Sequence, residues 1–297
     1  MKRDAFSGYH PIVNFVYFAA VIAFGMLFMH PVFQGIALAS SVIYSLMLKG
    51  MRALKFNLLY MLPLLLIAAL INPAFNHAGV TILFYLKNGN PITLESILYG
   101  IAAAVMLVTV IIWFSCYNAV MTSDKFIYLF GRILPALSLI FSMVLRFVPR
   151  YKNQIRKISH AQRSIGRDAT QGSLLQRARN GIRIVSIMTT WALENAIETA
   201  DSMKARGYGL PNRTSFSLYR FDSRDRLTLG LQAVLIAVIL AGAALGENTI
   251  RFFPSIRMEP IAPFSGIVFA AYGALCLLPV GIQIMEDIKW RSIASRN

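Results

Sequence analysis

The sequence predicts an all-α integral membrane protein with about six transmembrane helices, an interfacial helix and two long cytoplasmic helices. Three observations lead there. Hydrophobic residues make up 57% of the 297 residues and charged residues 14%, where globular domains carry about 25% charged. Apolar runs of span length, roughly 20 residues, recur along the chain. The basic residues behind a net charge of +16 gather at the ends of those runs and in one central block, as membrane topology requires. The excess charge is therefore assigned to the bilayer surface, and no nucleic-acid partner is expected.

The apolar runs fall at about 12–29, 32–48, 56–72, 97–121, 227–246 and 262–284. Lys2 and Arg3 precede the first run, and Ala37-Leu38-Ala39 resembles a signal cleavage site. The stretch before it is too long for a signal core and is split by His30-Pro31, so a retained first helix is expected. Lys2 and Arg3 place the N-terminus inside, and Lys49, Arg52 and Lys55 place the second loop inside. Lys87 is the only basic residue from Pro73 to Glu95, which puts that loop outside. The fourth helix returns Lys125 and Arg132 to the cytoplasm, and a final hairpin leaves Lys289, Arg291 and Arg296 there. The chain is expected to be multi-pass in the cell membrane with both termini cytoplasmic.

A seventh apolar run, 133–149, is the ambiguous one. If it spanned, the block from Arg150 to Arg226, with fifteen Lys and Arg against six Asp and Glu, would lie outside, against the charge rule. Pro135, Pro149 and Arg146 also fit an interfacial helix better than a spanning one. The expected organisation is a four-span unit over 1–132, a cytoplasmic unit over 133–226 and a C-terminal hairpin over 227–297.

Within the cytoplasmic unit, one helix is expected from Pro149, a residue tolerated at a first helical position, to a stop at Gly166. A second is expected from about Ser173, a side chain suited to capping, to Arg206, with Gly207 ending it in the left-handed conformation. Its length is roughly 50 Å at 1.5 Å per residue. Ile184, Ile187, Met188, Trp191, Ala192 and Met203 follow helical spacing, and Glu194, Glu198 and Asp201 form a separate acidic line. That line reads as a solvated face or as partners for Arg156 or Lys157. Arg177, Arg179 and Arg183 either meet anionic lipid headgroups or simply anchor the inner side.

Several chemistries are not provided for. No Asp, Glu, Lys, Arg or His lies in the interior of the six predicted spans, where ion-coupled transporters carry ionisable groups. No phosphate-binding Gly-rich loop of the G-x-x-x-x-G-K-[ST] type occurs, and His10, His30, His77 and His160 are scattered. Cys116 and Cys276 lie in apolar runs and read as buried hydrophobes. No cofactor, resident metal or catalytic residue is expected; any energy has to come from a partner.

The helix ending Met203-Lys-Ala-Arg-Gly-Tyr-Gly209 offers a way to meet one. Ala205 and Gly207 flank Arg206 with little bulk, so a guanidinium can enter a groove and pair bidentately with carboxylates or carbonyls. The segment Ala200–Gly209 resembles the second coupling motif of the transmembrane T component of energy-coupling factor (ECF) transporters. Leu145–Pro149, Ala161–Gly166 and Asn212–Phe216 resemble neighbouring stretches of the same family. The resemblance implies a scaffold whose two coupling helices each dock one of two ABC ATPase subunits through a short Arg motif. It also implies a separate membrane S component that binds a vitamin or metal ion and packs on the helices' apolar faces. Met and Trp side chains such as Met188 and Trp191, with Ile184, are the expected S-component platform.

One departure stands out. The family's first motif places its Arg where this chain has Ile165. Arg163 and Arg167 flank it, but two residues is about 200° around a helix, so neither substitutes directly unless the helix end unwinds. The docking role falls on Ala205, Arg206 and Gly207, and on Arg163, Ser164 or Arg167 at the first end. The alternatives are a conventional ABC importer permease, echoed by Glu194-Asn-Ala196, and a lipid-phosphate enzyme using Asp222 and Asp225 to hold Mg²⁺. Both aspartates read better as a boundary to the following span.

Overall fold

The computed structural model describes residues 4–85, 89–131, 135–210, 219–246, 249–258 and 263–294. Lys2, Arg3, Lys87, Arg132, Asn212–Phe216 and Arg296, used above, lie outside the described residues. The chain divides into two compact units, Met1–Phe126 with Tyr219–Asn297, and Ile127–Leu218.

The first unit holds six apolar helices: α1 Pro11–Leu27, α2 Pro31–Lys49, α3 Met51–Phe75, α4 Leu94–Val120, α8 Ser223–Ala244 and α9 Pro263–Ala294, where α5 to α7 belong to the connecting segment. All except the 17-residue α1 are long and apolar enough to cross a membrane. His10 and His30 each precede a proline and cap their helices, their ring Nδ1 accepting from Ile12 N and Val32 N at 3.3 Å. Proline at the first helical position needs no N–H there, so both His-Pro pairs are helix starts. α3 begins earlier than its apolar run, passing through a π-helical turn at Asn57–Met61 just before Pro63, whose missing N–H disturbs the regular ladder.

α4 packs on α3, α2 and α1, and α9 packs on α2 and α8. The core between them is aromatic: Tyr17, Phe18, Tyr44, Trp113 and Tyr272 are fully buried, with Phe18 and Trp113 edge-on at 6.3 Å. Gly100 permits the close approach of α3 and α4, since a Cβ there would sit 2.6 Å from Ala69 O. Short hairpins, Ile82–Tyr85 with Pro91–Thr93 and Ile250–Arg251 with Arg257–Met258, lie at one end, where Tyr99 meets Phe252 at 5.3 Å.

The opposite end gathers the N-terminal residues, the ends of α2 and α4 and the start of α8. Lys125 is buried and donates to Ser7 O at 2.5 Å and Val120 O at 3.0 Å. With its amide oxygen facing Lys125, Asn14 accepts from Nζ at 2.9 Å and donates to Phe6 O at 3.0 Å. Asp4 accepts from Tyr44 Oη at 3.1 Å. Burial raises the Asp4 carboxyl and lowers the Lys125 ammonium, each opposed by attraction to the other. Asp225 Oδ1 accepts from His10 N and Oδ2 from Asp222 N, both at 2.9 Å, in a capping box that starts α8. Both aspartates of the metal-site alternative are thus committed to backbone N–H groups, and among the described residues no three His, Cys, Asp or Glu side chains are grouped to hold a metal.

The chain leaves this unit at Phe126 and re-enters it at Tyr219, which lies close enough to Asp124 for that charge to raise its phenol, although burial is the larger cause.

The second unit contains the long helices. α5, Ser123–Gly131, leads in; α6 is Pro135–Ser164 and α7 is Leu174–Ala205. Here the expectation needs correction: the interfacial segment 133–149 and the helix expected from Pro149 are one helix of 30 residues with Pro149 inside it. An interior proline costs about 3 kcal/mol. Phe147 and Tyr151, one turn apart across it, stack at 5.7 Å with their planes 5° apart, which offsets part of that cost.

Candidate docking surface

α6 and α7 pack against each other through a small apolar cluster. Ile158, Ile184 and Met188 are buried in it, with Tyr151, Ala169 and Trp191 packed around them. Tyr151 meets Trp191 edge-on at 5.5 Å, and the Arg150 guanidinium lies 5.5 Å from the Trp191 ring centre. Ile184 and Met188, 7% and 8% exposed, hold the two helices together and form the floor of a groove between them, because they face the neighbouring helix. The large apolar side chains exposed on α7 are Leu174, Leu175, Ile182, Val185, Ile187, Leu193 and Ile197, of which Ile182, Val185, Leu193 and Ile197 fall on one stripe. Trp191 is half-buried at the groove's edge.

The two helices end in the same way. At the end of α7, Gly207 has φ +80°, Gly207 N donates to Lys204 O at 2.9 Å and Tyr208 N to Met203 O at 3.0 Å. At the end of α6, Gly166 has φ +72°, Gly166 N donates to Arg163 O at 3.0 Å and Arg167 N to Gln162 O at 2.9 Å. This is the paired bonding of a Schellman cap, which satisfies helix-end carbonyls and needs a left-handed residue that only glycine adopts without penalty. The last half-helical residue before the glycine is Arg206 in one helix and Ile165 in the other. Arg206 is exposed, as is Ile165 at 59%. Ala205 precedes Arg206, and Ser164, whose Oγ donates to His160 O at 3.1 Å, takes the matching place before Ile165.

The two flanking arginines at the first end differ. Arg163 is paired through Nε to Asp168 Oδ2 at 3.2 Å, the only ion pair among the described residues. Asp168 Oδ1 accepts from Thr170 N at 2.9 Å, and its backbone O accepts from Asn180 Nδ2 at 3.0 Å. The bonding to Thr170 first, and the Arg163 charge last, hold its carboxyl below the usual range. Arg167 belongs to the cap itself and carries no such pair. The acidic line Glu194, Glu198 and Asp201 is exposed and has no ion pair to Arg156 or Lys157.

Ser173 caps α7 as its residue type predicts, accepting from Gln176 N at 3.3 Å, and Gln176 Oε1 accepts from Ser173 N in return. The Ser-x-x-Gln spacing of this capping box was legible in the sequence but unused. The Asp168 clamp carried no comparable signal: an Asp among glycines and polar residues looks like any turn.

Comparison with known proteins gives these helices a family. The model of the CbiQ family, described as cobalt transport protein, matches residues 11–216. The energy-coupling factor transporter transmembrane protein EcfT of Lactobacillus helveticus (strain DPC 4571) is 33% identical over 105 residues, covering 35% of this chain and 38% of that protein. The EcfT of Brevibacillus brevis (strain 47 / JCM 6285 / NBRC 100599) is 36% identical over 104 residues, 35% of this chain and 39% of the relative. The matched stretch thus spans about two fifths of the length of these curated relatives. They are named as transmembrane components of transporters, not as enzymes. With six apolar helices, two capped long helices and a family match over most of its length, this multi-pass membrane chain belongs to the CbiQ family of cobalt transport proteins.

Proposed function

We propose that this chain is the transmembrane scaffold of an ECF-type importer in the cell membrane, with both termini and the Ile127–Leu218 unit cytoplasmic. In this reading two ABC ATPase subunits grip the ends of α6 and α7, and their movement passes along the packed helices to a membrane S component. The S component, which carries the vitamin or metal ion, rests on the open stripe of Ile182, Val185, Leu193 and Ile197 over the groove floored by Ile184 and Met188. The apolar first half of α6 lies along the inner bilayer surface.

The observation that carries the reading is the exposed Arg206 on a rigid Schellman cap between two small residues. A guanidinium held by a glycine-terminated cap projects from a helix end with its carbonyls already satisfied, which preorganises it for a partner's carboxylates or carbonyls. Arg anchors of this type lose about 2 kcal/mol or more on truncation. The test is co-purification of ATPase subunits from membranes in mild detergent, together with substrate uptake. Arg206→Glu is expected to abolish both, and Arg163→Glu, which breaks a contact inside the chain, to do less. Equal ATPase recovery for wild type and Arg206→Glu would remove the assignment.

A further inference from the structure

The start of α7 carries Arg177, Arg179 and Arg183 and no acid, while Glu194, Glu198 and Asp201 come later and Lys204 and Arg206 close the helix. A helix favours anions at its N-terminus and cations at its C-terminus, so the cations at the start of α7, unlike those at its end, are locally unfavourable. Arg179 and Arg183 are also one turn apart, a like-charged i, i+4 pair that destabilises an isolated helix. Conflicts between local preference and sequence concentrate at functional sites.

Those two side chains line a pocket with Arg163, Arg167 and Asp168, between the end of α6 and the start of α7. Asp168 pairs with Arg163, which leaves the charges of Arg167, Arg179 and Arg183 without a carboxylate within 4.0 Å among the described residues. The amides of Gln176 and Asn180 share the wall, and Ile165 and Leu174 stand exposed nearby.

From this geometry we infer that the pocket receives an acidic segment of the ATPase that docks at the end of α6, with two or more carboxylates meeting Arg167, Arg179 and Arg183. The inference rests on the scaffold reading above. It explains how the first helix end holds a partner although its cap residue is Ile165: the cations lie beside the cap, mostly on the other helix. Arg179 and Arg183 sit about 6 Å apart on the helix surface, a separation that two carboxylates one helical turn apart reproduce. Guanidinium groups bind carboxylates bidentately, and the neighbouring amides add directional donors and acceptors. A lipid surface is less suited, because the arginines line a concavity with an inward carboxylate rather than a flat basic face.

The probe is a labelled hexaglutamate peptide, titrated by fluorescence anisotropy into the full chain in nanodiscs of neutral lipid. The joint change Arg179→Glu and Arg183→Glu is expected to weaken binding about tenfold or more, one energy step of a lost charge pair. The charge-matched control, Arg52→Glu with Lys55→Glu, is expected to weaken it only slightly. Arg179→Gln with Arg183→Gln, which leaves the helix without new charge, should fall between. In the assembled transporter, a photo-reactive side chain at Gln171 should cross-link an ATPase segment bearing Asp or Glu. Equal weakening by the control, cross-linking to phosphatidylserine instead, or cross-linking to an ATPase segment without acids would each overturn the inference. If no ATPase co-purifies with the wild type, the scaffold reading fails; if ATPase co-purifies and any of those three results is found, the pocket assignment alone fails.

Discussion

Ile165 and Arg206 are equivalent residues: each directly follows a long helix, precedes a left-handed glycine at φ +72° or +80° and is closed by the same pair of backbone bonds. The two ends share a backbone and differ in the side chain it presents. Ile165→Arg should therefore add a second anchor without altering the fold. Retention of ATPase through high-salt washes is expected to rise in Ile165→Arg and to fall in Arg206→Ile by up to about thirtyfold, the equivalent of roughly 2 kcal/mol. Unchanged retention in Ile165→Arg would show that the two ends are not used alike.

The α6–α7 crossing is the element that has to transmit force. Trp191 contributes an edge-on contact with Tyr151 and a face for Arg150. Trp191→Ala is expected to cost about 2–3 kcal/mol, less than the roughly 3–5 of a fully buried ring, because Trp191 is half-buried. ATPase co-purification should persist while uptake falls, since the helix ends remain and only their coupling loosens. Loss of co-purification in parallel with uptake would instead place Trp191 in the docking itself.

The turn between the long helices depends on the charge of Asp168. Its carboxyl is held below the ordinary value of 3.8 by the bond from Thr170 and by Arg163. For an acid with a depressed folded value, the stabilisation is present above the unfolded value and is lost as pH falls through the folded one. Protection of the Thr170 amide against hydrogen exchange is thus expected to hold at pH 5 and to disappear only below about pH 3.8. In Asp168→Asn, which keeps the acceptor but not the charge, protection should be weaker and independent of pH in that range.

Lys125 ties together segments distant in sequence. Lys125→Met removes its bonds to Ser7, Val120 and Asn14 and takes a favourable charge away from the half-buried Asp4. Leaving buried acceptors without their donor costs about 1–3 kcal/mol, which should appear as a clear drop in melting temperature in detergent. Adding Asp4→Asn to Lys125→Met is expected to recover part of the loss, because an uncompensated carboxylate is then no longer buried. No recovery would mean that the hydrogen bonds of Lys125, not its charge, hold this end closed.

Much of this molecule was readable in advance. Six apolar runs became six helices, and His-Pro pairs, Ser173 and Gly207 became starts and stops, because capping and hydrophobic length are local properties. Pro149 misled for the same reason: a local rule predicted a break, and the helix instead runs on through it, with Phe147 stacked on Tyr151 across the site. The bond that His10 N donates to Asp225 also lay beyond local reading, since the two residues are 215 apart in sequence.

The sequence by itself determined the class of protein, its apolar helices and the ends of α7, all of which follow from composition, periodicity and short motifs. Only the tertiary structure decided that Ile184 and Met188 are buried between the two long helices, that Arg163 is taken by Asp168, and that Arg167, Arg179 and Arg183 share a pocket. The reason is physical: helical spacing tells which residues share a face, but which face is covered, and which charges meet, depends on how a second helix crosses the first.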